Sequence, residues 1–230
     1  MKIYRIAIIG LGGMGNNHTL AVQAEDNCQL VGGAEIDIER ARSWKERFGV
    51  NAVFDSYEKM LDQLEPDILI NATQSSLHCA PTLAAARRGI HVFCEKPPGR
   101  DLEDIARVIA CEKNHPELKL KYGFNHRYHH SVRDALSTLK SGELGKVINL
   151  RGVYGKSQIV TFGKQSDWRT NRDLAGGGIL LDQGIHMVDL LRLFSGDFVE
   201  VKSFISNGFW NHNVEDNAYE IGRASCRERV

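Results

Sequence analysis

The sequence predicts an α/β protein with a doubly wound parallel sheet, followed by an α+β portion with a mixed or antiparallel sheet. Three observations predict it. Over the first 125 residues, short apolar runs alternate with stretches of helical periodicity, the pattern of β-α-β units. The first run, Ile3–Ile9, is β-branched and nearly continuous, as suits a strand buried on both faces. After Asn125 the rhythm changes, and long polar stretches separate the patterned ones.

The elements follow in order. Ile3–Ile9 is the first strand, and a helical pattern runs from about Gly13 to Ala24. Gln29–Glu35 is a strand, then Glu39–Phe48 a helix closed by Gly49. Asp55 and Glu58 have capping-box spacing before a helix over Tyr57–Leu64, which Pro66 breaks. Ile68–Ala72 is a core strand, and Cys79–Arg88 a helix with Pro81 in its first turn and Gly89 at its end. His91–Cys94 is a strand, Asp101 caps a helix reaching about Glu112, and Lys119–Phe124 is a strand. Beyond it, Ser131–Ser141 is helical with Gly142 as its stop, and Val147–Gly155 alternates like a half-solvated strand. A polar segment, Gly155–Gly178, ends in three glycines, before an amphipathic helix over Ile179–Phe194 and a strand over Val199–Ser206.

Composition narrows the function classes. The 230 residues carry 29 Lys and Arg against 29 Asp and Glu, a balance that argues against nucleic-acid or polybasic membrane binding. Five cysteines, Cys28, Cys79, Cys94, Cys111 and Cys226, form no C-x-x-C pair, which points to a reducing, cytoplasmic compartment. Lys2 and Arg5 before an apolar run give the start a superficial signal-peptide look, but four glycines interrupt it and no small-residue cleavage site follows. No apolar run reaches the length of a membrane span.

Gly10-Leu-Gly12-Gly-Met-Gly15 directly follows the first strand and opens the first helix. In that context Gly10 permits a tight turn, Gly12 lets a pyrophosphate approach the backbone, and Gly15 permits close packing of helix on strand. The helix start offers free N–H groups and the positive end of its dipole to phosphate. Glu35, at the end of the second strand, is placed to hold the ribose hydroxyls of an adenosine and to repel a 2′-phosphate, so NAD is favoured. Arg40, one helical turn on, keeps NADP open.

Three further segments carry chemistry: Cys94-Glu95-Lys96-Pro97-Pro98 after a strand, Asn125-His126-Arg127-Tyr128 at the change of rhythm, and Gly176 to Asp189 leading into the amphipathic helix. Together with the glycine turn followed by His18, with Trp168-Arg169 and with Asp182-x-Gly-x-His186, they resemble the Gfo/Idh/MocA oxidoreductases, relatives of glucose–fructose oxidoreductase and inositol dehydrogenase. The resemblance covers about Lys2 to Tyr219. It departs where the family often reads T-P-N-x-x-H and this chain has Thr73-Gln74-Ser75-Ser76-Leu77-His78.

The resemblance implies a Rossmann nucleotide domain over 1–124 and part of a substrate and dimerisation domain over 125–220. It implies hydride transfer between nicotinamide and a hydroxyl carbon of a sugar, sugar derivative or cyclitol. Cofactor contacts would come from Gly10, Gly12, Gly13, Met14, Gly15, Glu35, Thr73, His78, Glu95 and Lys96. Lys96, Asp182 and His186 would be catalytic, with His186 as acid/base, Asp182 on the same helix face orienting it or holding a neighbouring substrate hydroxyl, and Lys96 polarising the reacting oxygen. Those three with Arg127, Trp168 and Arg169 would bind substrate, the arginines by gripping an anionic group. The plainer readings are that Asp182, His186 and Asp189 form a solvated helix face, that Lys96 is an ordinary loop residue and that Trp168 is core packing. His126, His129 and His130 lack a companion ligand pattern for a metal, and none is expected. Family members commonly dimerise, which implies a homo-oligomer in the full-length protein. A non-catalytic dinucleotide-binding regulator of the same fold, or an inactive fragment, is the alternative. Family members usually continue for about a hundred further residues. Residues 221–230 show no periodicity and resemble a translated sequencing adapter, so a non-native tail and a natural chain continuing after about Tyr219 are expected.

Overall fold

The computed structural model describes residues 2–156 and 168–225. The chain divides into two compact units, Met1–Gly123 and Phe124–Val230.

The first unit is a six-stranded, all-parallel sheet. In chain order it runs β1 (Tyr4–Ile9), α1 (Gly13–Gln23), β2 (Cys28–Ala34), α2 (Ile38–Phe48), β3 (Val53–Phe54), α3 (Tyr57–Leu64), β4 (Ile68–Asn71), α4 (Cys79–Ala86), β5 (His91–Cys94), α5 (Leu102–Asn114) and β6 (Leu120–Tyr122). The strand order is β3-β2-β1-β4-β5-β6, so the winding reverses between β1 and β4. In such sheets ligands bind beyond the carboxyl ends of the strands at that reversal.

β1 shows why the apolar run was continuous. Ala7 and Ile9 join one core with Met60, Leu61 and Leu69, while Ile6 and Ile8 join another with Val22, Trp44 and Ile70. Side chains alternate between sheet faces, and helices cover both, so every position from Ile6 to Ile9 is apolar. The indole Nε1 of Trp44 donates to Thr19 Oγ1 at 2.9 Å, and Thr19 Oγ1 donates to the Gly15 carbonyl at 2.8 Å, which ties α2 to the start of α1.

The helix ends correct one expectation. Ser56, not Asp55, caps α3, its Oγ accepting from Lys59 N. Asp55 instead pairs with Lys59 across one exposed turn. Glu58 accepts from Ser56 Oγ rather than closing a box onto the backbone. The short strand β3 was not visible in the sequence, because two residues carry no period.

The second unit contains α6 (His130–Ser141), α7 (Arg172–Ala175), α8 (Ile185–Ser195), β7 (Phe198–Ser206) and β8 (Asn217–Ala224), the two strands pairing antiparallel. The strand expected over Val147–Gly155 does not form: residues 147–156 carry neither helix nor strand, and Ile148 and Val153 are exposed. Alternation predicts a strand only where a partner exists, and none pairs with this stretch among the described residues. The helix expected over Ile179–Phe194 opens with a π-helical turn, Leu180–Gly184, so Asp182 and His186 do not share the face of one regular helix. β8 runs to Ala224, past the point where the sequence loses its pattern, with Ile221 opposite Lys202. Residues 157–167 of the polar segment, Cys226 and the end of the tail lie outside the described residues.

Among the described residues no helix is long and apolar enough to cross a membrane. The capping assignment has a direct check. Ser56→Ala is expected to cost about 1 kcal/mol in urea unfolding, whereas Asp55→Ala costs about 0.3 kcal/mol.

Candidate functional site

In the first unit the candidate residues gather at the carboxyl ends of β1, β2, β4 and β5. Gly10 has φ +79°, and a Cβ there would lie 2.7 Å from the Ala72 carbonyl oxygen. At Gly15 a Cβ would lie 2.1 Å from the Gly10 carbonyl oxygen. These two glycines are demanded by the protein's own packing. Gly12 and Gly13 are not: a Cβ at either meets nothing within 4 Å. The space they leave adjoins the first turn of α1, which has no acidic residue and no side-chain cap, so its leading N–H groups face that space. A Cβ-free, positively polarised cradle of this kind fits a pyrophosphate. Met14 is exposed at its edge.

Glu35 is nearly buried and braces the cradle. Its Oε2 accepts from Leu11 N at 3.0 Å and its Oε1 from Asp37 N at 3.1 Å. Arg40, a full helical turn away in sequence, is brought against it, with Nη1 3.2 Å from Glu35 Oε2 and Nη2 3.3 Å from Asp37 Oδ2. Two carboxylates thus face one guanidinium, leaving the cluster net negative.

The loop after β4 is built around Asn71, which is fully buried. Its Nδ2 donates to the Leu77 and His78 carbonyls, and its Oδ1 accepts from Thr73 N and, at 2.7 Å, Thr73 Oγ1. His78 is 1% exposed, with Nε2 3.0 Å from the Thr73 carbonyl oxygen and Nδ1 on that of Pro97. Burial holds its pKa below the ordinary histidine value, even though both carbonyls favour the charged ring. Both ring nitrogens are engaged by the protein, so His78 acts by joining the β4 and β5 loops.

Glu95, after β5, meets His18 of α1, Oε1 to Nε2 at 2.8 Å. Burial alone would raise the Glu95 pKa. The His18 hydrogen bond and charge, with the Lys96 N–H, outweigh it and hold the carboxyl below the ordinary 4.5. Lys96 is half-buried in the same loop. A shallow depression lined by Glu112, Pro116, Leu118, Lys119, Leu120 and Lys121 lies at the opposite, amino edge of the sheet, away from these groups.

In the second unit the turn Asn125–Tyr128 and α8 hold the candidates. Arg127 grips Asp189 with both prongs, Nε to Oδ2 at 2.7 Å and Nη2 to Oδ1. This pairing pushes the Arg127 pKa up. The Nε and Nη2 of Arg127, a residue expected to grip a substrate anion, are thus engaged by a carboxylate of the chain itself. His186 is 4% exposed, its ring stacked on His126 with centroids 4.0 Å apart. Asp182 is flanked by cations, Lys156 Nζ at 3.7 Å and Arg169 Nε at 3.6 Å, and accepts from Gln183 Nε2 at 2.8 Å. Arg169 also lies over the Trp168 ring at 4.4 Å. Trp168, Arg169 and Asp182 are thus brought together, with Lys156 added. Two of the three glycines have a structural reason: Gly176 ends α7 at φ +85°, and a Cβ on Gly178 would lie 2.0 Å from the Glu215 carbonyl oxygen. Buried Glu215 accepts from Gly178 N at 2.7 Å.

Residues 4–124 match the family model described as "Oxidoreductase family, NAD-binding Rossmann fold". The chain belongs to the Gfo/Idh/MocA oxidoreductase family. Residues 132–223 match the model of the Gfo/Idh/MocA C-terminal domain. The chain is 27% identical over 220 residues to D-glucoside 3-dehydrogenase of Escherichia coli (strain K12), which covers 95% of this chain and 61% of that protein. It is 28% identical over 196 residues to myo-inositol 2-dehydrogenase of Thermotoga maritima, covering 85% and 56%. The solved structure of levoglucosan dehydrogenase in complex with NADH and L-sorbose superposes with a TM-score of 0.90 at 26% identity, covering 98% of this chain and 64% of that one. The chain therefore spans little more than half to about three fifths of these Gfo/Idh/MocA relatives. Among the described residues no group of three or more His, Cys, Asp and Glu could hold a metal ion.

Sequence reasoning named His18 and Asp189 without their partners, and missed Asn71, Glu215 and Lys156 as parts of the framework around the candidates. The Glu95 interaction gives a pH prediction. A carboxyl whose folded pKa is depressed adds stability that is full above about pH 4.5 and fades as pH falls through its folded value. His18→Ala leaves Glu95 buried without that partner, so the variant is destabilised at neutral pH. In urea unfolding, the gap to the wild type is expected to narrow as pH is lowered through the carboxylate range.

Proposed function

We propose that the full-length protein is an NAD-dependent oxidoreductase that moves hydride between nicotinamide and a hydroxyl-bearing carbon of a sugar, sugar derivative or cyclitol. The observation that carries this reading is the cradle: Gly12 and Gly13 leave open space that protein packing does not require, beside the uncapped start of α1. The sugar and cyclitol dehydrogenases named above support the substrate class. Glu35 and Asp37 around Arg40 favour NAD over NADP, because a 2′-phosphate would meet a net negative cluster.

A bound nicotinamide dinucleotide supplies the redox chemistry. The chain's residues supply position and charge. The α1 N–H groups hold the pyrophosphate and Glu35 the adenosine ribose. Thr73, Glu95 and Lys96 come from the two loops joined by His78, and Lys96 polarises the reacting oxygen. His186 takes or returns the hydroxyl proton at a ring nitrogen, as general acid/base. Asp182, set between Lys156 and Arg169, accepts hydrogen bonds from a neighbouring hydroxyl. Trp168 offers an apolar wall to the sugar ring. The cysteine usage supports a reducing, cytoplasmic setting. The exposed Val199, Val201 and Phe204 of β7 support a homo-oligomer of the full-length enzyme.

Two measurements test the reading. Gly12→Ala is expected to leave the melting temperature unchanged and to weaken NAD binding about tenfold by calorimetry, while Gly15→Ala lowers the melting temperature itself. Equal NAD affinity in Gly12→Ala would remove the cradle from the site. In NADH formation across a panel of sugars and polyols, His186→Ala is expected to lower kcat about 10²- to 10⁴-fold.

A further inference from the structure

We propose that His18 is a positioning residue for Lys96: by way of Glu95 it ties the loop that carries this lysine to α1, the helix whose first turn forms the cradle. The proposal rests on the reading of Lys96 as the group that polarises the reacting oxygen.

Lys96 sits in a loop held on both sides. Before it, Glu95 N donates to the Asn71 carbonyl at 2.9 Å, and after it the Pro97 carbonyl meets His78 Nδ1. Both partners belong to the end of β4 and the loop that follows. The third hold comes from α1. Glu95 Oε2 accepts from the Lys96 N–H at 3.3 Å, and Glu95 Oε1 accepts from His18 Nε2 at 2.8 Å. An ionised carboxylate only accepts, so Nε2 carries the hydrogen of this bond. One side chain thus connects the helix to the lysine's own backbone.

The carboxylate is confined. The side chains of His18 and Glu95 are 18% and 12% exposed, so water does not readily replace either for the other. Gly123, just after β6, approaches so closely that a Cβ there would lie 2.8 Å from Glu95 Oε2. Without the His18 donor, the carboxylate loses the shorter of these two bonds and turns toward water, because a buried charge is costly without a partner. Turning takes Oε2 off the Lys96 N–H. The lysine is then held by the β4 side alone, while the cradle and Glu35 keep their places. The expected loss is therefore in alignment at the reacting oxygen and not in affinity for the dinucleotide.

His18 also packs. Its ring meets Phe93 of β5 edge-on, with centroids 5.2 Å apart and planes at 66°. Two substitutions separate the roles. His18→Phe keeps a ring against Phe93 and has no donor. His18→Gln loses the ring and sets an amide nitrogen about as far from the backbone as Nε2, which restores the donor.

The test compares the two variants with the wild type in the full-length protein. His18→Phe is expected to lower kcat about 10- to 100-fold, as a misplacement of about 1 Å does, with the KM for NAD within about threefold of the wild type. His18→Gln is expected to recover most of kcat. Hydrogen exchange, followed by mass spectrometry without cofactor or turnover, is the second readout. Pro97 and Pro98 carry no amide hydrogen, so the signal of this loop comes from Glu95 and Lys96. Exchange at Lys96 should quicken about tenfold in His18→Phe and stay near the wild type in His18→Gln. If His18→Phe fails to fold, His18→Asn, whose amide reaches only as far as the ring's Nδ1, carries the same expectation. An unmoved kcat or Lys96 exchange, a loss that falls on the KM for NAD instead, or an equal loss in His18→Gln would overturn the proposal. Lys96 exchange that follows His18 in a wild type without dehydrogenase activity would uphold the tether and sink the reading of Lys96 instead.

Discussion

No side-chain atom fits at position 15. The carbonyl of Gly10 occupies the place where a Cβ would stand, and this close approach sets where α1 begins relative to the end of β1. Much of the first unit's chemistry follows from that contact. Because α1 starts there, its N–H groups open at the carboxyl edge of the sheet. Thr19, one turn on, returns a hydrogen bond to Gly15 and receives one from Trp44, fixing α2. Leu11, inside the same turn, donates to Glu35 and so fixes the carboxylate at the end of β2. His18, on the next turn of α1, reaches the loop after β5.

The second unit is organised by a different force. Among its described residues few large apolar side chains are buried, Val214 being the largest fully buried one, alongside the polar His186, Asp189 and Glu215. Charge-assisted contacts therefore bear much of the local order: Arg127 on Asp189, and Glu215 between Arg172 and Gly178. Such contacts are directional. They fix the orientation of α8 more sharply than apolar packing would, at the cost of sensitivity to any change that leaves one partner buried alone.

What was legible in the sequence was what is local. The glycine turn, the strands of the parallel sheet and the helix stops at Gly49, Gly89 and Gly142 all announce themselves within a few residues, through period or through positive φ. Glu35 was legible because its distance from the glycine turn is set by one β-α-β unit. What escaped lies far apart along the chain. Arg127 and Asp189 are 62 residues apart, and His18 and Glu95 are 77. No periodicity encodes such pairings, which is why the sequence did not show Arg127 as a clamp on Asp189. Val147–Gly155 misled for the converse reason: its alternation is real, but a ladder needs a neighbour. The Ser56 cap failed by one position, since Asp and Ser are both good caps and only backbone geometry chooses between them.

The π-helical turn at Leu180–Gly184 carries a consequence for how such a site can vary. A π turn holds one residue more than the α-helical path it replaces. Deleting a residue within it would restore a regular helix and leave everything beyond in phase, because the wider turn is what absorbs the extra residue. His186 would keep its stacking partner and Asp189 its arginine, while Asp182, inside the turn, would change its place relative to both. Length in this turn therefore sets where Asp182 stands, independently of the contacts that α8 makes.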